Sequence, residues 1–364
     1  SGSALLAFKN ALTNSDYFDT VEVNQQRPND TNEKVIPIEV NLVFRKKNKY
    51  SFAIGYGTDT GPRGGIGWER RRINRYGHRF ALNAQLSQLR SVASARYYIP
   101  VGQSPNDYVA LTASYKDEST KTSDSTVLSI GINKNHIRTL FNRNLQEILG
   151  LEYRDEQYTI GNYAGHAKLL MPSINWSYVK ADDLLYTLHG HKIQLEVRGA
   201  LESLGSNTSF LQTRLQAIFI RKLHDNGRFI TRGEVGYTLT STLLSGEFND
   251  LPPSIRFFAG GDRSVRGYDY NTLGTTNDQG YVIGGKQLLV GSVEYEHRIL
   301  EKWSVAAFYD VGNAFNNFSD PIKHATGVGV RWQSPVGLLR VDVATALSED
   351  GHSLRLHVTV GPDF

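Results

Sequence analysis

Apolar and polar residues alternate in short segments from Tyr50 to the end of the chain. In residues 192–201, Ile193, Leu195 and Val197 share one face, and charged or amide side chains share the other. Residues 79–88, 211–219 and 353–360 repeat the pattern. A period of two is typical of β-strands with one apolar face. No run of about 18 apolar residues predicts a transmembrane helix.

Sixteen such segments fit between turn residues. They lie near residues 50–57, 63–71, 78–88, 90–99, 107–116, 124–134, 145–157, 167–180, 190–202, 208–223, 227–240, 286–299, 302–311, 323–333, 336–346 and 353–360. The alternative is a soluble antiparallel sheet with one wet face. Sixteen segments are too many for one sandwich, and charged residues recur on the polar faces. We therefore predict an all-β fold, a 16-stranded antiparallel transmembrane β-barrel with a polar interior.

The first residues follow a different pattern. Leu5, Phe8 and Leu12 share one face of a short helix, and 17–24 and 35–44 predict two strands joined by a polar linker at 27–34. This α+β segment is too small to be stable alone, so we expect it to be the end of a larger domain. The basic run 45–49 is either a solvated linker or a contact with lipid headgroups.

Composition narrows the function classes. The absence of cysteine excludes disulfides, thiolate zinc sites and a catalytic thiol, and a net charge of +4 is too mild to indicate nucleic acid. No hydrolase or metalloprotease motif is found, so we predict no enzyme activity, no cofactor and no metal. The one methionine is Met171, so Ser1 is not a translation start, and we expect a signal peptide to precede this sequence.

One long connection, at about 241–284, separates the strand pattern into two parts, and we predict it to be structureless. Residues 256–268 combine aromatic residues, Gly260, Gly261, Gly267 and Arg266. The glycines permit close backbone approach, and an arginine can bind a carboxylate inside a polar lumen. The alternative is a plug that only fills space. Long loops in compact folds are usually functional.

The string Ser264, Val265, Arg266, Gly267, Tyr268 resembles the loop-6 signature of the Omp85 superfamily, sixteen-stranded barrels with periplasmic POTRA domains. Residues 256–268 and the first hairpin at 55–63 are most similar to the TamA branch. Residues 13–18 resemble a turn of the last POTRA domain, and 327–337 resemble the closing hairpins. The resemblance implies two parts, a C-terminal part of a POTRA domain at 1–48 and an Omp85-type barrel at 49–364.

The resemblance also implies site residues. Loop 6 folds back into the barrel as a latch, in which Arg266 contacts carboxylates on the inner wall. Two candidate partners lie at matching positions, Glu294 and Asp310. Val265, Gly267 and Tyr268 complete the latch.

A seam between the first and last strands is the second predicted site, because glycine and proline weaken strand pairing. The seam residues are Tyr50, Phe52, Ile54, Gly55, Gly57, Leu354, Leu356, Val358 and Gly361. The resemblance implies a lateral gate here, whereas glycines that only ease barrel curvature are the alternative. The C-terminal residues Gly351, Leu354, Leu356 and Phe364 resemble a β-signal for membrane insertion.

These features predict an assembly factor in the outer membrane of a Gram-negative bacterium, with its N-terminal segment in the periplasm. The resemblance implies three partners: a TamB-like protein anchored in the inner membrane, client outer-membrane proteins or autotransporters, and outer-membrane lipids. A general assembly barrel of the BamA type, a two-partner secretion exporter and a passive porin are the alternatives.

Overall fold

The computed structural model describes residues 2–14, 17–26, 36–102, 104, 106–140, 143–183, 185–240, 251–335, 337–349, 351 and 353–363 of the protein. Its elements are α1 (Gly2–Asn14), β1 (Phe18–Gln25), β2 (Ile38–Phe44), β3 (Asn48–Gly57), β4 (Gly61–Arg70), β5 (Arg79–Ser87), β6 (Arg90–Pro100), β7 (Tyr108–Ser119), β8 (Ser123–Leu140), β9 (Arg143–Ile160), β10 (Tyr163–Ala181), β11 (His189–Ala200), the 3-10 helix η1 (Glu202–Leu204), β12 (Phe210–His224), β13 (Gly227–Thr240), β14 (Thr275–Thr276), β15 (Val282–Gly284), β16 (Gln287–Leu300), β17 (Trp303–Phe315), β18 (Lys323–Ser334), β19 (Gly337–Ala346) and β20 (Leu354–Gly361).

Sixteen strands, β3 to β13 and β16 to β20, close into one antiparallel barrel in which chain neighbours pair and β20 returns to β3. Each of the sixteen predicted segments coincides with one of these strands, so the predicted fold is confirmed. The largest differences from the predicted lengths are in three neighbouring strands: β8 and β9 have 18 residues and β10 has 19. The apolar alternation marks only the part of a strand that faces lipid, and polar residues continue these strands beyond it.

Alternation along each strand produces two chemically different walls. In β17, Val305 and Tyr309 are exposed on the outer wall, whereas Asp310 is buried on the inner wall. Outward apolar side chains and inward polar ones are the arrangement expected of a barrel in lipid. Among the described residues, no helix is long and apolar enough to cross a bilayer.

The barrel has two unlike ends. Two-residue turns join β12 to β13 and β16 to β17 at the end where the N-terminal segment enters β3, which we call the turn end. The opposite end, the loop end, carries the connections 201–209 and 316–322 and the described part, 251–286, of the connection between β13 and β16. At the turn end, β1 and β2 form a separate two-stranded sheet, and the Tyr17 hydroxyl donates to the Gly77 carbonyl at 2.6 Å. The predicted linker at 27–34 lies outside the described residues.

The long loop enters the barrel from the loop end and packs against the inner wall. Leu251 and Ile255 pack with Leu169 and Met171 on the inner wall. Val265 and Tyr268 belong to a second cluster that includes wall residues of β16 to β19. The expectation of a structureless loop is wrong in one respect, because β14 and β15 pair as a short hairpin within it. Residues 241–250 of the predicted loop lie outside the described part.

Candidate functional site: the loop latch and the barrel seam

Gly267 brings the loop backbone against the barrel wall. Its φ is +93°, in the left-handed region that favours glycine. A Cβ atom at this position would lie 3.1 Å from the backbone nitrogen of Ala346 and from the carbonyl carbon of Thr345. Glycine therefore permits the close approach that turns the neighbouring Arg266 toward the charged inner wall.

Arg266 is buried and binds both carboxylate oxygens of Asp310 through one edge of its guanidinium. Nε donates to Asp310 Oδ2 at 2.7 Å, and Nη2 donates to Asp310 Oδ1 at 2.9 Å. The Arg266 backbone N–H also donates to Asp310 at 3.1 Å, and Nη1 donates to Glu294 at 2.7 Å. The guanidinium carbon lies 3.3 Å from the centroid of the Phe308 ring. The structure thus brings together the three charged residues singled out in the sequence, in the bidentate geometry that makes arginine–carboxylate pairs strong.

Arg331 extends this contact around the wall. Its Nη2 donates to Glu294 Oε1 at 2.7 Å, and its Nη1 donates to Asp342 Oδ1 at 2.6 Å. The other oxygen of Asp342 lies 3.5 Å from Arg266 Nη1. Glu294 and Asp342 are therefore shared between a wall arginine and the loop arginine. Carboxylates shared between two arginines offset the desolvation cost of burying these charges only when each carboxylate lone pair accepts a hydrogen bond.

The charged network continues to the end of the chain. Arg228 donates to Glu296 at 2.7 Å and to Asp363 at 2.7 Å, and Arg340 donates to Asp363 at 2.8 Å. In this network five arginines meet five carboxylates, so the formal charges of these ten residues cancel: Arg228, Arg232, Arg266, Arg331 and Arg340 face Glu294, Glu296, Asp310, Asp342 and Asp363.

The sequence interpretation missed Arg331, Asp342, Glu296 and Arg228. A signal was present for Arg331 and Asp342, because each occupies an inward position between outward apolar residues of its strand. In β19, Asp342 stands between Val341 and Val343. A search for charged residues of both signs at inward positions of neighbouring strands would have found the set.

The seam is the weakest junction of the barrel wall. Strands β20 and β3 share one ladder pair, Thr359 with Gly57, whereas β3 and β4 share ten pairs. The predicted seam residues Tyr50, Phe52 and Ile54 have no partner on β20, and Ile54 is 96% exposed. Leu354, Leu356, Val358 and Gly361 pair with β19. Gly55, which pairs with Arg63, contributes to the β3–β4 hairpin.

A few further bonds hold the seam. The Thr58 backbone N–H donates to the Val358 carbonyl at 3.0 Å, and the Val358 N–H donates to Thr58 Oγ1 at 2.6 Å. Arg63 Nη2 donates to the Val360 carbonyl at 3.1 Å. Side chains therefore supply bonds that backbone pairing supplies at the other fifteen junctions.

Loop 6 contacts both strands of this seam through a cluster that we call the clasp, formed by Asp59, Asp262 and His357. The backbone N–H of Asp262 donates to Asp59 Oδ2 at 2.5 Å. His357 Nδ1 lies 2.5 Å from Asp262 Oδ1, and the Gly267 N–H donates to His357 Nε2 at 2.9 Å. Asp59 belongs to the β3–β4 turn and His357 to β20, so the loop tip links the two edges. The sequence interpretation missed the clasp.

Two acidic groups meet at the clasp, and burial is the main reason that the pKa of Asp59 rises to about 6, with the nearby Asp262 carboxylate adding to the effect. The three side chains offer ligand atoms within 4.8 Å of one another. Both ring nitrogens of His357 are engaged in hydrogen bonds, however, whereas a metal would need a free nitrogen lone pair. The geometry is that of a hydrogen-bonded junction.

Residues 74–364 match the Omp85 superfamily domain. The chain belongs to the Omp85 superfamily. Across 141 residues, this Omp85 chain is 30% identical to the outer membrane protein assembly factor BamA of Nitratidesulfovibrio vulgaris, a match that covers 35% of this chain and 18% of that protein. The matched part is thus a small fraction of the relative's length.

Solved structures show the same fold. BamA from Haemophilus ducreyi lacking POTRA domains 1–3 superposes with a TM-score of 0.81 at 17% identity, covering 100% of this Omp85 chain and 78% of that one. CdiB from Acinetobacter baumannii superposes with a TM-score of 0.61 at 14% identity, covering 96% of this Omp85 chain and 67% of the CdiB chain. At such identities the likeness concerns the barrel architecture alone.

The predicted β-signal lies at the loop end of β20. Gly351 has a φ of +90° in the turn before the strand, and Leu354 and Leu356 point outward and are exposed. Phe364 lies outside the described residues.

Proposed function

We propose that this chain is the membrane barrel of an outer-membrane protein assembly factor, and that client strands engage it at the seam between β3 and β20. The single ladder pair at this junction carries the proposal. Unpaired backbone groups are costly in lipid, and an incoming strand can satisfy them by strand addition. The neighbouring junctions are fully paired, so the wall would open here first.

In this proposal loop 6 sets the resting position of the gate. Arg266 fixes the loop to β16 and β17, and the clasp fixes its tip to both seam edges. The latch residues Val265, Gly267 and Tyr268 are buried between loop and wall. Opening of the seam then requires the clasp bonds to break while the arginine contacts keep the loop inside the barrel.

We further propose the TamA branch, with a TamB-like partner anchored in the inner membrane and autotransporter-type proteins among the clients. The resemblance of residues 256–268 and of the first hairpin supports this assignment. A general assembly barrel of the BamA type is the second candidate, supported by the 30% identity to one BamA. Porins also constrict the lumen with a loop, so it is the N-terminal α+β segment and the string at 265–268 that argue against a passive porin.

The location and domain division are part of the proposal. Bacterial outer-membrane barrels have short turns on the periplasmic side and long loops outside. The N-terminal helix and strands lie at the turn end, which supports a periplasmic position for residues 1–48 and a barrel that begins near residue 49.

Disulfide trapping of the seam tests this function. The chain has no native cysteine, so Gly57→Cys with Thr359→Cys gives one defined pair. The matched control is Asn83→Cys with Ser94→Cys, partners on β5 and β6. We expect both pairs to oxidise in outer membranes, and only the seam pair to stop client assembly, with recovery on reduction. Normal assembly with a fully oxidised seam would reject the lateral gate.

A further inference from the structure

The turn end carries a concentration of positive charge beside β3. It comprises nine cationic residues, which we call the basic rim: Arg45, Lys46, Lys47, Lys49, Arg70, Arg71, Arg72, Arg75 and Arg79. Glu69 forms ion pairs with Lys49 (Oε2 to Nζ, 4.0 Å) and with Arg79 (Oε1 to Nη1, 3.5 Å). Asp19 Oδ1 lies 3.9 Å from Arg45 Nε. Among the described carboxylates, none forms an ion pair with Lys46, Lys47, Arg70, Arg72 or Arg75. The rim therefore has an excess of positive charge.

The rim is held in a defined shape. Arg71 donates from its backbone N–H to the Lys47 carbonyl at 2.8 Å and from Nη1 to the Lys46 carbonyl at 3.2 Å. Asn74 Oδ1 accepts from the backbone N–H groups of Tyr76 and His78 and so shapes the β4–β5 turn. These bonds join the turn to the segment before β3, so the cations of both segments are presented together.

Aromatic and aliphatic side chains stand among these cations. Tyr76 is 64% exposed and Phe44 is 54% exposed, and Ile73 is also exposed. The guanidinium carbon of Arg72 lies 4.2 Å from the centroid of the Phe44 ring. Aromatic residues mixed with Lys and Arg are typical of the layer where a bilayer meets water. The rim thus has the composition of a headgroup-level surface.

An apolar groove of about 700 Å³ lies next to the rim on the outer wall. Large side chains border it, including Tyr50, Phe52, Trp68 and Leu82, and small ones form its floor. The floor residues are Gly67, Ala84, Ala93, Ala95 and Ala113. Arg70 lies two positions after Trp68, on the same face of β4, so rim and groove are continuous.

We propose that rim and groove together bind an anionic glycerophospholipid of the leaflet at the turn end. The phosphate lies against Arg70, Arg72 and Arg75, whose planar guanidinium groups match phosphate oxygens. An acyl chain lies in the groove. A zwitterionic headgroup would bring an ammonium group toward the same cations, so an anionic lipid is preferred. The groove borders the seam strand β3 through Tyr50 and Phe52, but the lipid site does not depend on which clients the barrel handles.

Native mass spectrometry of the full chain in detergent tests the site. The probes are phosphatidylglycerol and phosphatidylcholine with identical acyl chains, and the readout is the fraction of protein that carries one lipid. We expect wild type to prefer phosphatidylglycerol, and Arg70→Gln with Arg72→Gln and Arg75→Gln to lower that preference by about tenfold or more. Ala95→Phe fills the groove and should lower the binding of both lipids while leaving their ratio unchanged.

The matched control removes three exposed cations elsewhere on the turn end, by Lys180→Gln, Arg221→Gln and Lys302→Gln. It should retain the preference. Heat-modifiable migration in gels confirms that each variant is folded, and Arg75→Gln alone, in an exposed turn, replaces the triple variant if that variant does not fold. An unchanged preference in the rim variant, or an equal loss in the control, would overturn the proposal. Native mass spectra in which wild type alone carries a co-purified acidic protein in place of lipid would also overturn the proposal.

Discussion

The backbone N–H of Gly267 donates a hydrogen bond to Nε2 of His357 at 2.9 Å, which attaches β20 to the residue next to the latch arginine. Because Nε2 accepts, the ring proton is on Nδ1, where it is donated to Asp262. One imidazole therefore holds two points of loop 6 against the last strand.

His357→Leu should loosen the seam. The substitution keeps an apolar volume but removes both bonds, leaving a buried N–H and a carboxylate without their partner, at a cost of about 1–3 kcal/mol each. We expect more frequent current steps in planar bilayers and a lower midpoint of unfolding in urea. His166→Leu, at an exposed histidine that pairs with Asp155, is the control. Wild-type current traces from the His357 variant would contradict a role for the clasp.

Arg266→Ala and Asp310→Asn should lower the free energy of unfolding by similar amounts. The double variant should be no less stable than either single variant. Removing one partner of a buried ion pair leaves the other charge buried without a partner, at a cost of about 3–5 kcal/mol. Urea unfolding of all four proteins measures the coupling. Arg138→Ala, which breaks a pair whose arginine is exposed, should cost about 1 kcal/mol or less. Strictly additive losses for Arg266 and Asp310 would rule out a direct coupling.

Arg331→Leu should destabilise the barrel although Arg331 lies on the wall and outside the loop. Its loss would leave Glu294, Glu296 and Asp342 with fewer donors. Adding Asp342→Leu removes one of these uncompensated carboxylates, so the double variant should recover part of the stability. The urea midpoint is the measurement. An unchanged urea midpoint in Arg331→Leu would show that Arg266 alone balances the carboxylates in this part of the network.

Asp59 should make the clasp sensitive to pH. Its pKa rises from 3.8 to about 6 on folding, chiefly through burial and then through Asp262, with Arg355 and His357 acting in the opposite direction. A raised pKa means that the folded protein holds a proton that the unfolded chain releases. The resulting stabilisation is complete below about pH 4 and is lost as the pH rises through about 6.

Asp59→Asn mimics the protonated carboxyl and should abolish this dependence. We expect the variant to gain about 1–3 kcal/mol over wild type at pH 7.5, and the gain to disappear near pH 4. Unfolding in urea across this range gives the difference curve. The control is Asp278→Asn, at an exposed position of the loop. A difference curve that is flat between pH 4 and 7 would show that Asp59 does not titrate in this window.

The fold and the centre of the latch could be predicted from the sequence for different reasons. Alternation located every barrel strand, because each strand faces lipid on one side and a polar lumen on the other. Arg266, Glu294 and Asp310 were identified through the resemblance of residues 264–268 to a known signature. The domain boundary, the latch role and the gate remain predictions.

The clasp could not be predicted in this way. Asp59 and His357 are separated by almost the whole chain, and their contact depends on how far β20 slides along β3 when the barrel closes. Alternation fixes which face a residue occupies, but it does not fix the register of a seam with one ladder pair. The position of a loop tip inside a lumen likewise follows from packing, which no local pattern encodes.

The strands around this barrel have very unequal lengths. Beside the seam, β3 and β4 have 10 residues and β20 has 8, whereas β8, β9 and β10 have 18 or 19. A tilted strand of about 9–11 residues is just long enough to cross a bilayer. The wall is therefore shortest, with no length to spare for covering a bilayer, at the junction that pairs least. We expect a client strand arriving at this side to meet a membrane that deforms more easily than beside β8 to β10, where polar residues continue the wall beyond the lipid.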